Sequence, residues 1–163
     1  MTNAARSRSL GAELSVRYHW QKGLWRGMLH GSYGFTDARY ISFTDGIDSY
    51  DGNHIPYSPR HTAYIGADVC YRADKKWLDS VSLSVSAEGR GRIWWNDANT
   101  LSQPFYTLLN ASLLFKWKYM SLQLWARNLT GTEYDVFYFV SMGNAFLQQC
   151  KPRQMGVTFT SEF

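Results

Sequence analysis

The chain has 163 residues, 17% of them aromatic and 18% charged, with a formal net charge of +4. Charge is lower and aromatic content higher than in an ordinary soluble domain, and no basic run or basic helix face gathers the positive charge, so nucleic acid is not expected as a partner. No stretch approaches the ~18 apolar residues of a membrane-crossing helix; a mean hydropathy of −0.36 argues against helical spans but not against strands that alternate apolar and polar residues.

The amino end, Met1 to Arg8, has no apolar core like that of an export signal. From Leu10 the periodicity is two. Leu10, Ala12, Leu14, Val16, Tyr18 and Trp20 share one parity, and Gly11, Glu13, Ser15, Arg17 and His19 the other. Successive side chains of a strand point to opposite faces, so this segment has one apolar and one polar face. After Gln21-Lys22-Gly23 the pattern returns with Trp25, Leu29, Tyr33 and Phe35 against Arg26, His30, Ser32 and Thr36. Further stripes follow at 63–71, 81–87, 105–117, 120–126 and 155–163. The sum is about seven strands and no convincing helix. Several reach a dozen residues, where soluble strands average ~5–6 and tilted spanning strands need ~9–11.

The connections alternate in kind. Tight or modest turns lie at 21–23, at 72–79 and near Lys118; long polar segments lie at 42–59, 96–103 and 130–152. Aromatics flank both sets: Tyr18, Trp20, Trp25, Tyr71, Trp77, Trp117 and Tyr119 by the turns, and Tyr40, Phe43, Trp94, Trp95, Phe105, Tyr106 and Phe137-Tyr138-Phe139 by the loops. Short turns on one rim, long loops on the other and two aromatic girdles describe a transmembrane β-barrel. The expected fold is therefore all-β, an antiparallel up-and-down transmembrane barrel fragment of about seven strands.

The last third carries a resemblance. Arg127-Asn128-Leu129-Thr130-Gly131-Thr132-Glu133-Tyr134 resembles the Asn-Leu-x-x-x-x-Tyr pattern of TonB-dependent outer-membrane receptors, and Lys151-Pro152-Arg153, followed by a final strand to Phe163, resembles the same family's Pro-Arg and terminal aromatic. Ile55-Pro56-Tyr57-Ser58-Pro59-Arg60 resembles its Pro-rich re-entry into the barrel. Cys150-Lys151 departs from the usual Gly-containing lead-in. The resemblance implies a 22-stranded barrel in the outer membrane of a Gram-negative bacterium, closed by a plug domain and energised by TonB. Residues 1–163 then form one carboxy-terminal barrel segment, with plug and export signal belonging to other parts of a longer chain. An open sheet in lipid, with two unpaired edges, points the same way. The implied partners are outer-membrane lipid, the plug and remaining strands of the same receptor, TonB through the amino-terminal part, and the barrel-assembly machinery. Phe163, with Phe159 four positions before it, resembles the signal that this machinery reads.

No catalytic pairing, metal-ligand spacing or cofactor motif is found, and an enzyme is not expected. The acidic loop Asp45 to Asn53 reads as a solvated turn rather than a calcium site. His54 and His61 lie by an outer loop and His19 and His30 on the polar parity. Arg90, Arg92 and Arg127 are expected on the lumen side, lining a substrate route or plug contact, or else balancing Glu13, Asp68 and Glu88. Cys70 and Cys150 are expected on opposite rims, unable to bridge. The leading reading is uptake of a scarce nutrient, such as a ferric siderophore or cobalamin. The alternative is a small lipocalin-like ligand-binding barrel, whose apolar residues would line the concave face.

Overall fold

A computed structural model describes residues 5–162. Among the described residues eleven strands follow one another: β1 Arg6–Lys22, β2 Trp25–Ser42, β3 His61–Lys75, β4 Leu78–Arg90, β5 Ile93–Trp94, β6 Ser102–Gln103, β7 Tyr106–Trp117, β8 Met120–Arg127, β9 Asp135–Ser141, β10 Asn144–Gln149 and β11 Gln154–Ser161. Seven of them form one sheet in the order β1-β2-β3-β4-β7-β8-β11, each antiparallel to its neighbour. This is the up-and-down wall expected from the alternation. The four remaining strands pair as two small hairpins, β5-β6 and β9-β10; β6, β9 and β10 lie inside segments expected as plain loops, and β5 just before one. Their short length in the first case, and apolar residues on both parities in the second, hid them from a period-two pattern.

Turn chemistry fixes the register. Gly23 has a φ of 58° and Leu24 is not left-handed, which fits the type II′ turn that joins twisted strands through two residues. Lys22 therefore pairs with Trp25, and the pairs of this hairpin follow as far as Ser7 with Tyr40, through Trp20 with Gly27, Leu14 with Tyr33 and Arg8 with Arg39, before the register shifts at Arg6. The pair Trp20 and Gly27 is a close fit, since a Cβ on Gly27 would collide with the Trp20 indole. Trp125 lies in the same way over its partner Gly156, where a Cβ would meet the ring.

The sheet has no apolar interior. Among the described residues, the buried apolar side chains are Ala38, Ala73, Ile93, Trp95 and Tyr106. The apolar row of the wall lies bare instead: Leu14 is 64% exposed and Val16 60%, and Tyr18, Leu29, Ile65, Leu83, Met155, Val157 and Phe159 are also exposed. In water that surface would far exceed the apolar patches that soluble monomers carry. From Trp25 to Phe35 is ten residue steps, which at ~3.4 Å per step and a tilt of ~35–45° gives an apolar band roughly 25 Å tall, the height found in outer-membrane barrels.

Candidate functional site

The polar parity forms the other face, and it hollows into a groove of about 490 Å³ lined by His30, Tyr64, Asp68, Asn110, Trp125 and Arg127, among others. His30 Nε2 lies 3.5 Å from Asp68 Oδ2, and Ser84 Oγ donates to Asp68 Oδ1 at 2.5 Å. The carboxylate thus stands between hydroxyl and imidazole. An activated serine needs the base at its own oxygen, so this trio orders the wall rather than attacking a substrate. Trp125 Nε1 donates to Thr158 Oγ1 at 3.2 Å, and the Arg127 guanidinium lies 5.4 Å from the centroid of the Trp125 ring.

The long loops share one rim, and they are tied to each other. Tyr40 donates its hydroxyl to Asp97 at 2.7 Å, and Asn53 Nδ2 donates to the Asp97 carbonyl at 2.9 Å. His54 N–H donates to Asn99 Oδ1 at 2.7 Å, and Asn99 Nδ2 returns a bond to the His54 carbonyl at 2.9 Å. Tyr57 N–H reaches the Trp94 carbonyl at 2.9 Å, while its hydroxyl reaches the Tyr138 carbonyl at 2.6 Å. The Tyr57 ring lies 5.4 Å from that of Trp95 and 5.5 Å from that of Phe137. Tyr57 has a φ of 62°, which costs a bulky residue of order 1–3 kcal/mol and persists only where surrounding contacts over-determine it. Beneath these ties Ile93, Trp95 and Tyr106 form a small core, packed by Leu108, Tyr134 and Tyr138.

The motif residues of the last third converge on the root of the loop between β8 and β11. Asn128 is buried and left-handed, with a φ of 51°. Its Oδ1 accepts from Thr132 N–H at 2.9 Å, and its Nδ2 donates to the Thr132 carbonyl at 2.9 Å. Asparagine tolerates this conformation and satisfies the backbone locally, which is why it ends the strand here. Leu129 N–H donates to the Leu109 carbonyl at 2.8 Å. Tyr134 stacks on Tyr106 with centroids 4.1 Å apart and planes 11° apart, and burial pushes its hydroxyl above the ordinary tyrosine range. Arg153 reaches Gly131, whose added Cβ would stand 3.2 Å from Arg153 Nη2. Pro152, Asn128, Tyr134, Glu88 and Arg127 line a hollow of about 640 Å³ below this root.

The other expected residues fall as follows. Arg127 faces the groove. Arg90 is exposed at the end of β4, paired with Tyr106. Arg92 lies past that strand, with its guanidinium 5.2 Å from the Trp94 ring centroid. Among the described residues no ion pair joins an arginine to Glu13, Asp68 or Glu88. Phe159 is exposed on the apolar face beside Leu122; Phe163 lies outside the described residues. Asp45 accepts from Ile47 N–H, Asp48 N–H and the Tyr50 hydroxyl, so its loop is a closed turn. The Tyr50 bond holds the Asp45 carboxyl below its usual range and pushes Tyr50 up to about 12. Cys70 and Cys150 are both free.

The outer aromatic girdle differs from its expectation. Trp95 and Tyr106 are buried in the loop core, and Tyr40 is engaged with Asp97. The aromatics that reach the apolar face near the loop rim are Tyr33, Phe35 and Phe105, the last resting against Gly89, with His61 beside them. The Tyr33 hydroxyl and His61 Nδ1 are 2.7 Å apart. Loops in water have to bury their own rings, so proximity to a loop does not make an aromatic a membrane anchor. Sequence reasoning also missed the group Asp37, Arg39, His54 and Arg60 at this rim. Counting outward from the Gly23-Leu24 turn would have placed Asp37 and Arg39 on the apolar row.

An antiparallel sheet with an exposed apolar face, a polar groove behind it and loops on one rim defines a wall segment of a membrane β-barrel. Residues 1–129 match the family "TonB dependent receptor-like, beta-barrel", and the chain belongs to that family. It is a transport family rather than an enzyme family, and its place is the outer membrane of Gram-negative bacteria. Among curated proteins, the chain is 23% identical over its whole length to 23% of the pesticin receptor of Yersinia pestis. It is 34% identical over 60% of its length to 12% of the ferrioxamine receptor of Yersinia enterocolitica. Its fold matches the ferric yersiniabactin uptake receptor FyuA from Yersinia pestis with a TM-score of 0.78 and 23% identity, over 98% of this chain and 24% of that one. The siderophore receptor PiuA from Acinetobacter baumannii matches with a TM-score of 0.70 and 18% identity, over 95% and 22%. The chain thus spans no more than about a quarter of the length of these relatives.

Proposed function

We propose that the chain is the carboxy-terminal part of the barrel wall of an outer-membrane receptor that imports a scarce nutrient, such as a ferric siderophore or cobalamin. In this reading the energy comes from TonB through a plug domain in another part of the longer protein. The observation that carries it is the long row of exposed apolar side chains, Leu14, Val16, Ile65 and Val157 among them, backed by a groove of polar ones. A lipocalin-like pocket would invert that order. The relatives' names, pesticin, ferrioxamine and yersiniabactin receptors, support the nutrient class. Arg90, Arg92 and Arg127 would touch the plug or the passing substrate. Phe159 and Phe163 would present the final strand to the assembly machinery.

The test is iron- or cobalamin-limited growth of cells whose intact receptor carries this segment, with and without TonB. Growth that depends on both is expected, and the segment alone should import nothing. Recovery of the receptor from the soluble fraction without detergent would sink the reading.

A further inference from the structure

The apolar row of β1 and β2 changes character at its loop end. Cross-strand partners share a face, so Leu14 with Tyr33, Ala12 with Phe35, Leu10 with Asp37 and Arg8 with Arg39 are one continuous row. Arg6 lies two residues farther along β1. The row thus passes from aliphatic side chains through Tyr33, Phe35 and His61 to a patch of guanidinium groups. From Phe35 to Arg39 is four steps, roughly 13 Å of strand, which puts the arginines at headgroup level above an aromatic belt.

One carboxylate organises the patch. Asp37 accepts from Arg39 Nε at 3.0 and 3.2 Å, and Arg60 Nε is 3.5 Å from it without hydrogen-bond geometry. His54 Nδ1 lies 3.9 Å away. Arg39 Nη1 is held by the Gly52 carbonyl at 3.1 Å, and the Arg60 guanidinium lies 5.5 Å from the Phe35 ring centroid. Three other acids of this rim are used elsewhere: Asp45 in its turn, Asp51 at the Phe43 N–H and Asp97 at Tyr40. Two guanidinium groups, those of Arg39 and Arg60, therefore share one carboxylate. Arg8 and Arg39 also stand directly opposite each other, an arrangement of like charges that destabilises a sheet unless an anion lies between. Burial, then Arg39 and Arg60, hold His54 below its ordinary range.

We propose that Arg8, Arg39 and Arg60 form a binding site for the phosphate groups of an outer-leaflet lipid, whose acyl chains run down the row of Leu10, Ala12 and Leu14. Guanidinium forks match phosphate oxygens in pairs. The site is continuous with the lipid-facing row, where a dissolved anion has no reason to be recognised but an amphiphile does. The proposal rests on that row meeting lipid.

The test is native mass spectrometry of the intact receptor in detergent, titrated with bis-phosphorylated lipid A, dephosphorylated lipid A or inorganic phosphate. One phosphorylated lipid should be retained. Retention should fall about tenfold or more in Arg8→Gln/Arg39→Gln, and in Arg8→Gln alone should fall measurably, since Arg8 is exposed and ties no loop. Arg17→Gln, on the polar face, should leave it unchanged. Equal retention by the Arg8→Gln variants, or equal binding of dephosphorylated lipid A, would overturn the proposal. Displacement by dilute inorganic phosphate would overturn it in favour of a soluble anion. Partition of the receptor into water without detergent would instead defeat the membrane reading beneath it.

Discussion

The wall and the loop rim of this chain solve opposite problems. The wall, β1 to β4 with β7, β8 and β11, leaves its largest side chains exposed and buries almost none. The rim does what a small soluble domain does: Trp95 is only 7% exposed, in a core with Ile93 and Tyr106, and backbone groups are tied by Asn99, Asn128 and Tyr57. The wall takes its apolar medium from lipid, and the rim, standing in water, makes its own. Identical residue types therefore mean different things a few residues apart.

Trp95→Ala should have the largest effect, about 3–5 kcal/mol of local stability, as for a buried aromatic in a packed core. If the two regions are separate, proteolysis will cut the loops at 91–105 and 128–153 while the receptor's barrel keeps its folded mobility on unheated gels. Loss of both together would erase the distinction. Val16→Arg tests the wall. In water an exposed valine is replaced at a cost within about 0.5 kcal/mol, whereas near the middle of a lipid-facing strand arginine costs about 2–4 kcal/mol. Urea unfolding of the receptor in vesicles separates the two outcomes. Asn128→Ala leaves the Thr132 backbone groups unpaired and should cost about 1–3 kcal/mol, read as faster cleavage at 129–133 with the strand pairing of β8 intact.

The smallest effect is expected from pH. His54 is held below its ordinary value, so its contribution to the rim is full above the unfolded value of ~6.5 and declines as pH falls through the folded value. Loop cleavage should rise on acidification below ~6 and lose that dependence in His54→Gln. Asp45, also held low, acts in the same direction at still lower pH. Tyr50, raised to about 12, has the opposite sign: its contribution is present below ~10 and lost as pH rises through about 12.

The wall was legible because its physics is periodic. Alternation marked the strands, and the turns at Gly23, Trp77 and Tyr119 marked their connections. His30, Asp68 and Arg127 line the groove on the polar face. The rim was not legible in the same way. Asn128 and Tyr134 could be picked out only by resemblance, since one left-handed asparagine has no periodic neighbour to announce it. The β9-β10 hairpin carries Phe137, Phe139 and Phe146 on one face and Val136, Val140 and Leu147 on the other, and no alternation marks a strand that is apolar on both. The basic group around Asp37 joins residues from two strands and a loop, and only the pairing register brings Arg8 to Arg39.

The two tryptophans that lie across glycines have a consequence for assembly. A strand shifted by one residue exposes its error at once, because every apolar side chain then points the wrong way. A shift of two residues keeps each side chain on its proper face, and hydropathy cannot detect it. Trp20 over Gly27 and Trp125 over Gly156 can. In a two-residue slip each indole meets a side chain where it needs empty space, so the large ring and the missing Cβ act as a tooth and notch that admit only one alignment of a growing sheet.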